Sequence, residues 1–237
     1  MIDRARFAGR TLELEISGHR VDHDGSRKKN MMTRWMSALA VGCLFAAGQA
    51  ASAQSVSDLR KLYDAGQYQQ AMTAASAAPV AVDQQPRVTY LVAQSQQKLR
   101  HIDEARQMYG QLAERGVGDP WRDIGRSAVA LLASDAASAV DAANQAVATG
   151  GTLPEAHYQR GLALAVRQDM ANAAAAFEKA TELDPSWAEA HYYAGLAYSK
   201  IKRFDMTASH FDTFLKLAPQ SPSRPEVQSI MKTLGGK

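Results

Sequence analysis

The tetrapeptide Glu-Ala-His-Tyr stands at 155–158 and again at 189–192, the second copy displaced from the first by a step of 34. A histidine recurring at fixed spacing allows two readings, a duplicated ligand or catalytic site and a duplicated piece of architecture. The surroundings decide for architecture. At the same step, Gly161 meets Gly195, Phe177 meets Phe211, Leu183 meets Leu217 and Pro185 meets Pro219. Going backwards, Pro154 leads to Pro120 and Pro86, and Ala173 leads to Ala139, Ala105 and Ala71. Five units follow without insertion, 52–85, 86–119, 120–153, 154–187 and 188–221. A constant period of this length indicates stacked repeats, each burying its apolar face on the next.

Within a unit the apolar period is helical. Tyr158, Leu162 and Ala165 fall at i, i+4 and i+7, one face of a helix. Pro154 suits a first helical turn, where a missing N–H is harmless. The stretch 167–170 breaks this helix, and an alanine-rich second helix follows over Ala171–Leu183. Asp184-Pro185 ends it, because a residue before proline is pushed out of the α region. The expectation is two antiparallel helices per unit. The tail 222–237 reads as a capping helix begun by Pro225, with Val227, Ile230, Met231 and Leu234 as its apolar stripe.

These units resemble tetratricopeptide repeats, whose pattern puts a small residue midway along the first helix, an alanine early in the second and an aromatic one turn later, the aromatic filling the space between one pair and the next. The small position holds Gly161, Gly195, Ser127 and Ala93, with Leu59 departing; the alanine position holds Ala71, Ala105, Ala139 and Ala173, with Thr207 departing. The aromatic position holds Tyr109, Phe177 and Phe211, but Ala75 and Ala143 elsewhere. The unit 120–153 is the most degenerate. The resemblance implies an all-α, right-handed α-solenoid of about five 34-residue helix-turn-helix repeats over 54–221, with the capping helix beyond it.

The leading segment has a different character. Basic residues (Arg27, Lys28, Lys29, Arg34) precede an apolar run from Met36 to Gly48, then Ala51-Ser52-Ala53. This is the layout of a secretory signal peptide over 31–53, with cleavage expected after Ala53. The run is too short for a membrane span, which needs roughly 20 apolar residues. Residues 1–30 are polar and sit awkwardly before a signal; the expectation is a mis-assigned start, with translation from Met31 or Met32. Cys43 is the only cysteine and reads as part of the signal core, with lipid anchoring there as the competing reading. Residues 1–53 hold 8 of the 27 basic and 5 of the 24 acidic residues, which leaves 19 of each in the rest. The basic pI of about 9.0 therefore gives no support for nucleic-acid binding. The expected location is the periplasm.

Candidate chemistry is sparse. His157 and His191 occupy equivalent positions in adjacent repeats, roughly 10 Å apart, whereas zinc gathers donors at about 2 Å from one centre. No HExxH, phosphate loop or nucleophile elbow occurs beyond residue 53. No metal, cofactor or catalytic residue is expected, and the chain is not expected to be an enzyme. Asp103-Glu104 reads as a pair of first-turn acids.

A solenoid offers a concave surface. By resemblance its groove positions hold Arg60, Tyr63, Arg87, Tyr90, Gln94, Lys98, Trp121, Ile124, Tyr158, Leu162, Tyr192, Leu196 and Lys200. The set is basic in its first half and aromatic-apolar further on, and such residues are enriched in binding hot spots. The competing expectation is that about half of them complete packing between repeats. The resemblance implies a scaffold that binds a peptide or a partner protein in this groove. An alternative is a subunit of a larger envelope assembly that uses the solenoid's end or convex face. In the repeated tetrapeptide, the histidines are expected to face the partner helix and the tyrosines the groove.

Overall fold

The computed structural model describes residues 55–77 and 80–235. The segment 1–30, the expected signal peptide and its cleavage point lie outside them. Among the described residues there are eleven α-helices and no strand. They form five pairs: α1 (Val56–Asp64) with α2 (Tyr68–Ala77), α3 (Gln85–Lys98) with α4 (Ile102–Ala113), α5 (Pro120–Leu132) with α6 (Ala136–Thr149), α7 (Pro154–Val166) with α8 (Met170–Leu183), and α9 (Ala188–Lys200) with α10 (Phe204–Leu217). Each helix packs on the next along the chain, and α11 (Arg224–Gly235) closes the series on α10. None of the described helices is long and apolar enough to cross a membrane.

The helix starts follow from local chemistry. Prolines occupy the first turns of α3, α5 and α7. Ser55, Asp119, Asp135 and Asp169 cap α1, α5, α6 and α8 by accepting from backbone N–H groups that the helix leaves unpaired.

The turn inside each pair repeats with the same regularity. Gly66, Arg100, Ser134, Gln168 and Lys202 all have left-handed backbone, with φ of 77°, 67°, 61°, 65° and 62°. They recur at the step of the repeat itself, one per unit. After each, the next residue's N–H reaches back five positions, as in Gln67 N to Leu62 O at 2.9 Å and Asp169 N to Leu164 O at 2.9 Å. The left-handed residue itself bonds three back, as in Gln168 N to Ala165 O at 2.9 Å. That pair of bonds is a Schellman motif, which satisfies the last carbonyls of the first helix. At four turns the residue is exposed and carries a side chain. At the fifth, a Cβ on Gly66 would stand 2.5 Å from Pro222 Cγ, so that turn needs glycine twice over.

Between the helices of a pair, small faces large. A Cβ on Gly161 would lie 2.5 Å from Phe177 Cε1, and one on Gly195 would lie 2.5 Å from Phe211 Cδ1. The ring therefore fills the space that any larger residue would need, and both phenylalanines are fully buried. At the far end Val227, Ile230 and Met231 of α11 pack on a cluster containing Ala188, Phe211 and Phe214. The apolar stripe of the tail thus covers the last repeat.

Candidate functional site: a concave face bridged by charge

The first helices of the units, α1, α3, α5, α7 and α9, line the concave face. Tyr90, Ile124 and Tyr158 are there, but each is at most 2% exposed. Tyr63, Gln94 and Trp121 are also buried. Tyr158 lies against Trp187 with ring centroids 4.5 Å apart, and against Phe177 and Tyr193 at 5.7 and 5.8 Å. Leu162, Leu196 and Tyr192 are half-buried, with Tyr192 on Phe214 at 5.4 Å and its hydroxyl donating to Glu226 at 3.1 Å. Lys200 is exposed. Truncating Tyr90 and Tyr158 therefore opens cavities in the core rather than clearing a free surface.

The polar groups explain the filling. Glu155, the first residue of the repeated tetrapeptide, is fully buried. It receives Arg87 through Nε at 2.6 Å and Nη2 at 3.2 Å, one guanidinium fork on one carboxylate. Arg60 Nη2 reaches the same carboxylate at 3.2 Å, while its Nη1 donates to Asp184. The Arg60 guanidinium also lies 4.5 Å from the centroid of the Trp187 ring. Glu189, the equivalent residue one unit on, receives Lys98 Nζ at 2.7 Å and the Tyr63 hydroxyl at 2.9 Å. Tyr90 donates to Gln159 Oε1 at 2.8 Å, Gln159 Nε2 donates to Ser127 Oγ at 3.2 Å, and Ser127 donates to Ala139 O at 2.8 Å.

The cations Arg60, Arg87 and Lys98 come from units 1 and 2. The carboxylates Glu155, Asp184 and Glu189 come from units 4 and 5. A basic wall and an acidic wall therefore meet across the groove, with unit 3 as the bend between them. The counter-charges of Arg60, Arg87 and Lys98 are thus internal to the chain.

A cavity of about 460 Å³ opens at the mouth of this groove, lined among others by Arg60, Lys61, Asp64, Arg87 and Asp184. Asp64 stands apart from the ion pairs, since the three cations are engaged by its neighbours. Burial, and next the Glu189 charge, push its carboxyl up to about 8. It is then a neutral hydrogen-bonding group at pH 7. Two buried atoms at the bridge lack a hydrogen-bonding partner, Arg60 Nε and Glu189 Oε2.

The histidines of the repeated tetrapeptide bind backbone. His157 Nε2 lies 2.9 Å from Gly151 O and His191 Nε2 lies 3.1 Å from Pro185 O, each six residues back in the preceding turn. A carbonyl only accepts, so Nε2 carries the proton in both. His191 Nδ1 is then free to accept from His210 Nδ1 at 3.1 Å on the partner helix α10. Burial lowers both rings, and the neighbouring His191 helps bring His210 down to about 4. Tyr198 stacks on His210 at 5.5 Å and donates to Glu178. Among the described residues, no group of three or more His, Cys, Asp or Glu is placed to hold a metal ion.

Glu155, Glu189, Asp64 and Asp184 are not among the groove positions expected from the sequence. The signal for three of them is present in the repeat. Glu155 and Glu189 lie one and two steps after Trp121, and Asp64 lies one step before Lys98, both of them groove positions. A first-turn glutamate reads as a helix-dipole partner, and that reading hides its inward direction.

Comparison with known proteins agrees with this architecture. Residues 154–187 match the tetratricopeptide repeat family, the same bounds as the fourth unit. No curated protein matches the sequence. Among solved structures, a thermophilic tetratricopeptide-repeat protein of Thermus thermophilus superposes with a TM-score of 0.53 at 19% identity, over 76% of this chain and 98% of that one. YrrB, described as having an unusual peptide-binding site, gives 0.46 at 18% identity over 73% and 90%. MamA from Desulfovibrio magneticus RS-1 gives 0.43 at 18% identity over 73% and 100%. The period, the glycine–aromatic pairs, the matched fourth unit and the shared fold together show the architecture of a tetratricopeptide-repeat solenoid.

Proposed function

We propose that this protein is a non-enzymatic scaffold of the bacterial cell envelope that receives a segment of a partner protein in its concave groove. The observation that carries this reading is the 460 Å³ cavity at the groove mouth, which places charged side chains of both signs beside the apolar side chains of Val56, Leu183 and Leu217. Charge gives such a site orientation and specificity, and burial of apolar surface against it gives affinity. Export follows from the apolar run and the Ala51-Ser52-Ala53 stretch. The test is photo-crosslinking in intact cells from a probe at Lys61, beside the cavity, and from one at exposed Ser138 on α6. A partner captured from 61 and not from 138, in the periplasmic fraction, is the expected result. Capture from 138 alone would place recognition elsewhere.

The alternative, an assembly subunit, draws on Ile201 at the end of α9 and Phe204 at the start of α10, two exposed apolar side chains flanking one turn. Light scattering on the purified protein separates the two readings. A monomer favours the groove, and a stable oligomer weakened by Phe204→Ser favours assembly.

A further inference from the structure

The groove is closed by the chain's own side chains, and the manner of closing indicates what else would fit. Arg60 behaves as a ligand of units 4 and 5. Its guanidinium is stacked on Trp187 and held by Glu155 and Asp184. This combination of an aromatic face with two carboxylates suits a planar, five-donor cation better than an ammonium group. The resident fit is imperfect. Arg60 Nε is buried without an acceptor, and Glu189 Oε2 is buried without a donor. An arginine entering on a different backbone can turn its own Nε–H toward an acceptor, which Arg60, held on α1 by the apolar packing of that helix on α3, cannot. Releasing Arg60 is also tolerable for the acidic wall. Arg87 stays on Glu155, and Asp184 is 22% exposed and can take water.

We propose that the acidic wall of units 4 and 5 is a receptor for an arginine-bearing segment of the partner, and that Arg60 is its resident occupant, displaced when that segment binds. Unit 1 then acts as a built-in competitor that a weak or mismatched segment cannot move. This rests on the groove reading above and adds to it the chemistry of the occupant. An occupant tethered in the same chain competes at millimolar effective concentration, so removing it should expose the receptor.

The probe is a labelled peptide copying residues 55–66 of this chain, which carries the resident arginine. Its affinity is measured for the wild-type protein and for Arg60→Ala. At least about tenfold tighter binding to Arg60→Ala is expected, given the loss of a tethered competitor. That gain should vanish when the peptide carries alanine at position 60, or when the protein also carries Glu155→Gln. Equal, tight binding to both proteins would overturn the competitor while leaving the groove reading intact. No binding to either would overturn the receptor, and the crosslinking test would still judge the groove. Hydrogen exchange on the wild-type protein covers the case of a poorly folded Arg60→Ala. Excess peptide should speed amide exchange in α1 and leave α8 unchanged; unchanged exchange in α1 also overturns the proposal.

Discussion

In unit 4 the Phe177 ring lies where a Cβ of Gly161 would be, so α7 and α8 approach until nothing larger than hydrogen fits between them. In unit 1 the same two positions hold Leu59 and Ala75, large and small exchanged, with Leu59 fully buried and Ala75 packed on its cluster. The pair keeps volume rather than identity, and volume is what a core enforces. The units also differ in how they are held. Unit 4 is stacked between two neighbours, whereas among the described residues unit 1 stacks on unit 2 alone and reaches the far wall through Arg60 and Tyr63. Apolar contact fixes the middle of the array, and charge fixes its first unit to its last two.

The largest effect should come from cutting that charged link. Glu155→Ala leaves Arg87 and Arg60 facing a buried gap, and breaking a buried ion pair from one side costs about 3 kcal/mol. Urea denaturation should show this loss, and Arg60→Ala in the same background should add little, because the two share one interaction.

The packing comparison can be tested by exchange. Gly161→Leu should destabilise by about 2 kcal/mol through overpacking. Adding Phe177→Ala, which copies the unit 1 arrangement into unit 4, should recover most of the loss. Failure of the second change to rescue the first would show that the two units are not interchangeable solutions.

Smaller effects depend on pH. The His191–His210 pair has lowered folded-state values, so the unfolded chain binds protons first as pH falls through 6.5. Stability should drop from pH 6.5 towards 4, by about 1 kcal/mol between pH 7 and 5.5, and His210→Gln should flatten that limb. Asp64 has the opposite sign. Its folded value is raised, so its stabilising protonated state is progressively lost as pH climbs from 3.8 to about 8. Asp64→Asn should raise stability at pH 8 by under about 1 kcal/mol, because water reaches the half-buried carboxyl and screens part of the cost. Thermal unfolding across pH 4 to 9 separates the two limbs, since only the Asp64 limb extends above 6.5.

The fold was legible because its determinants are periodic. Prolines, small residues and aromatics recur at one step, and even the departure at Leu59 is matched by the departure at Ala75. The turns were less legible. Only Gly66 announces a left-handed residue, while Arg100, Ser134, Gln168 and Lys202 adopt the same backbone at a cost of about 1–2 kcal/mol each. The Schellman bonds and the packed helices around them hold that geometry. The site was legible as a set of residues and not as an arrangement. Arg60, Tyr63, Arg87 and Lys98 follow from the repeat positions, but Arg87 and Tyr63 find their partners 68 and 126 residues away. A repeat pattern records the step between neighbours and carries no information on how far the superhelix curls before its ends meet.

That curl has a consequence for the number of repeats. Gly66 in the first turn touches Pro222 just ahead of the capping helix, so beginning and end are in contact after five units. An open solenoid can gain or lose a unit internally and keep every local contact. Here, one extra unit between the third and fourth would carry Glu155 and Glu189 a full step beyond Arg60, Arg87 and Lys98. Five is the copy number at which this array is commensurate with itself, so its length is as much a part of its specification as any side chain.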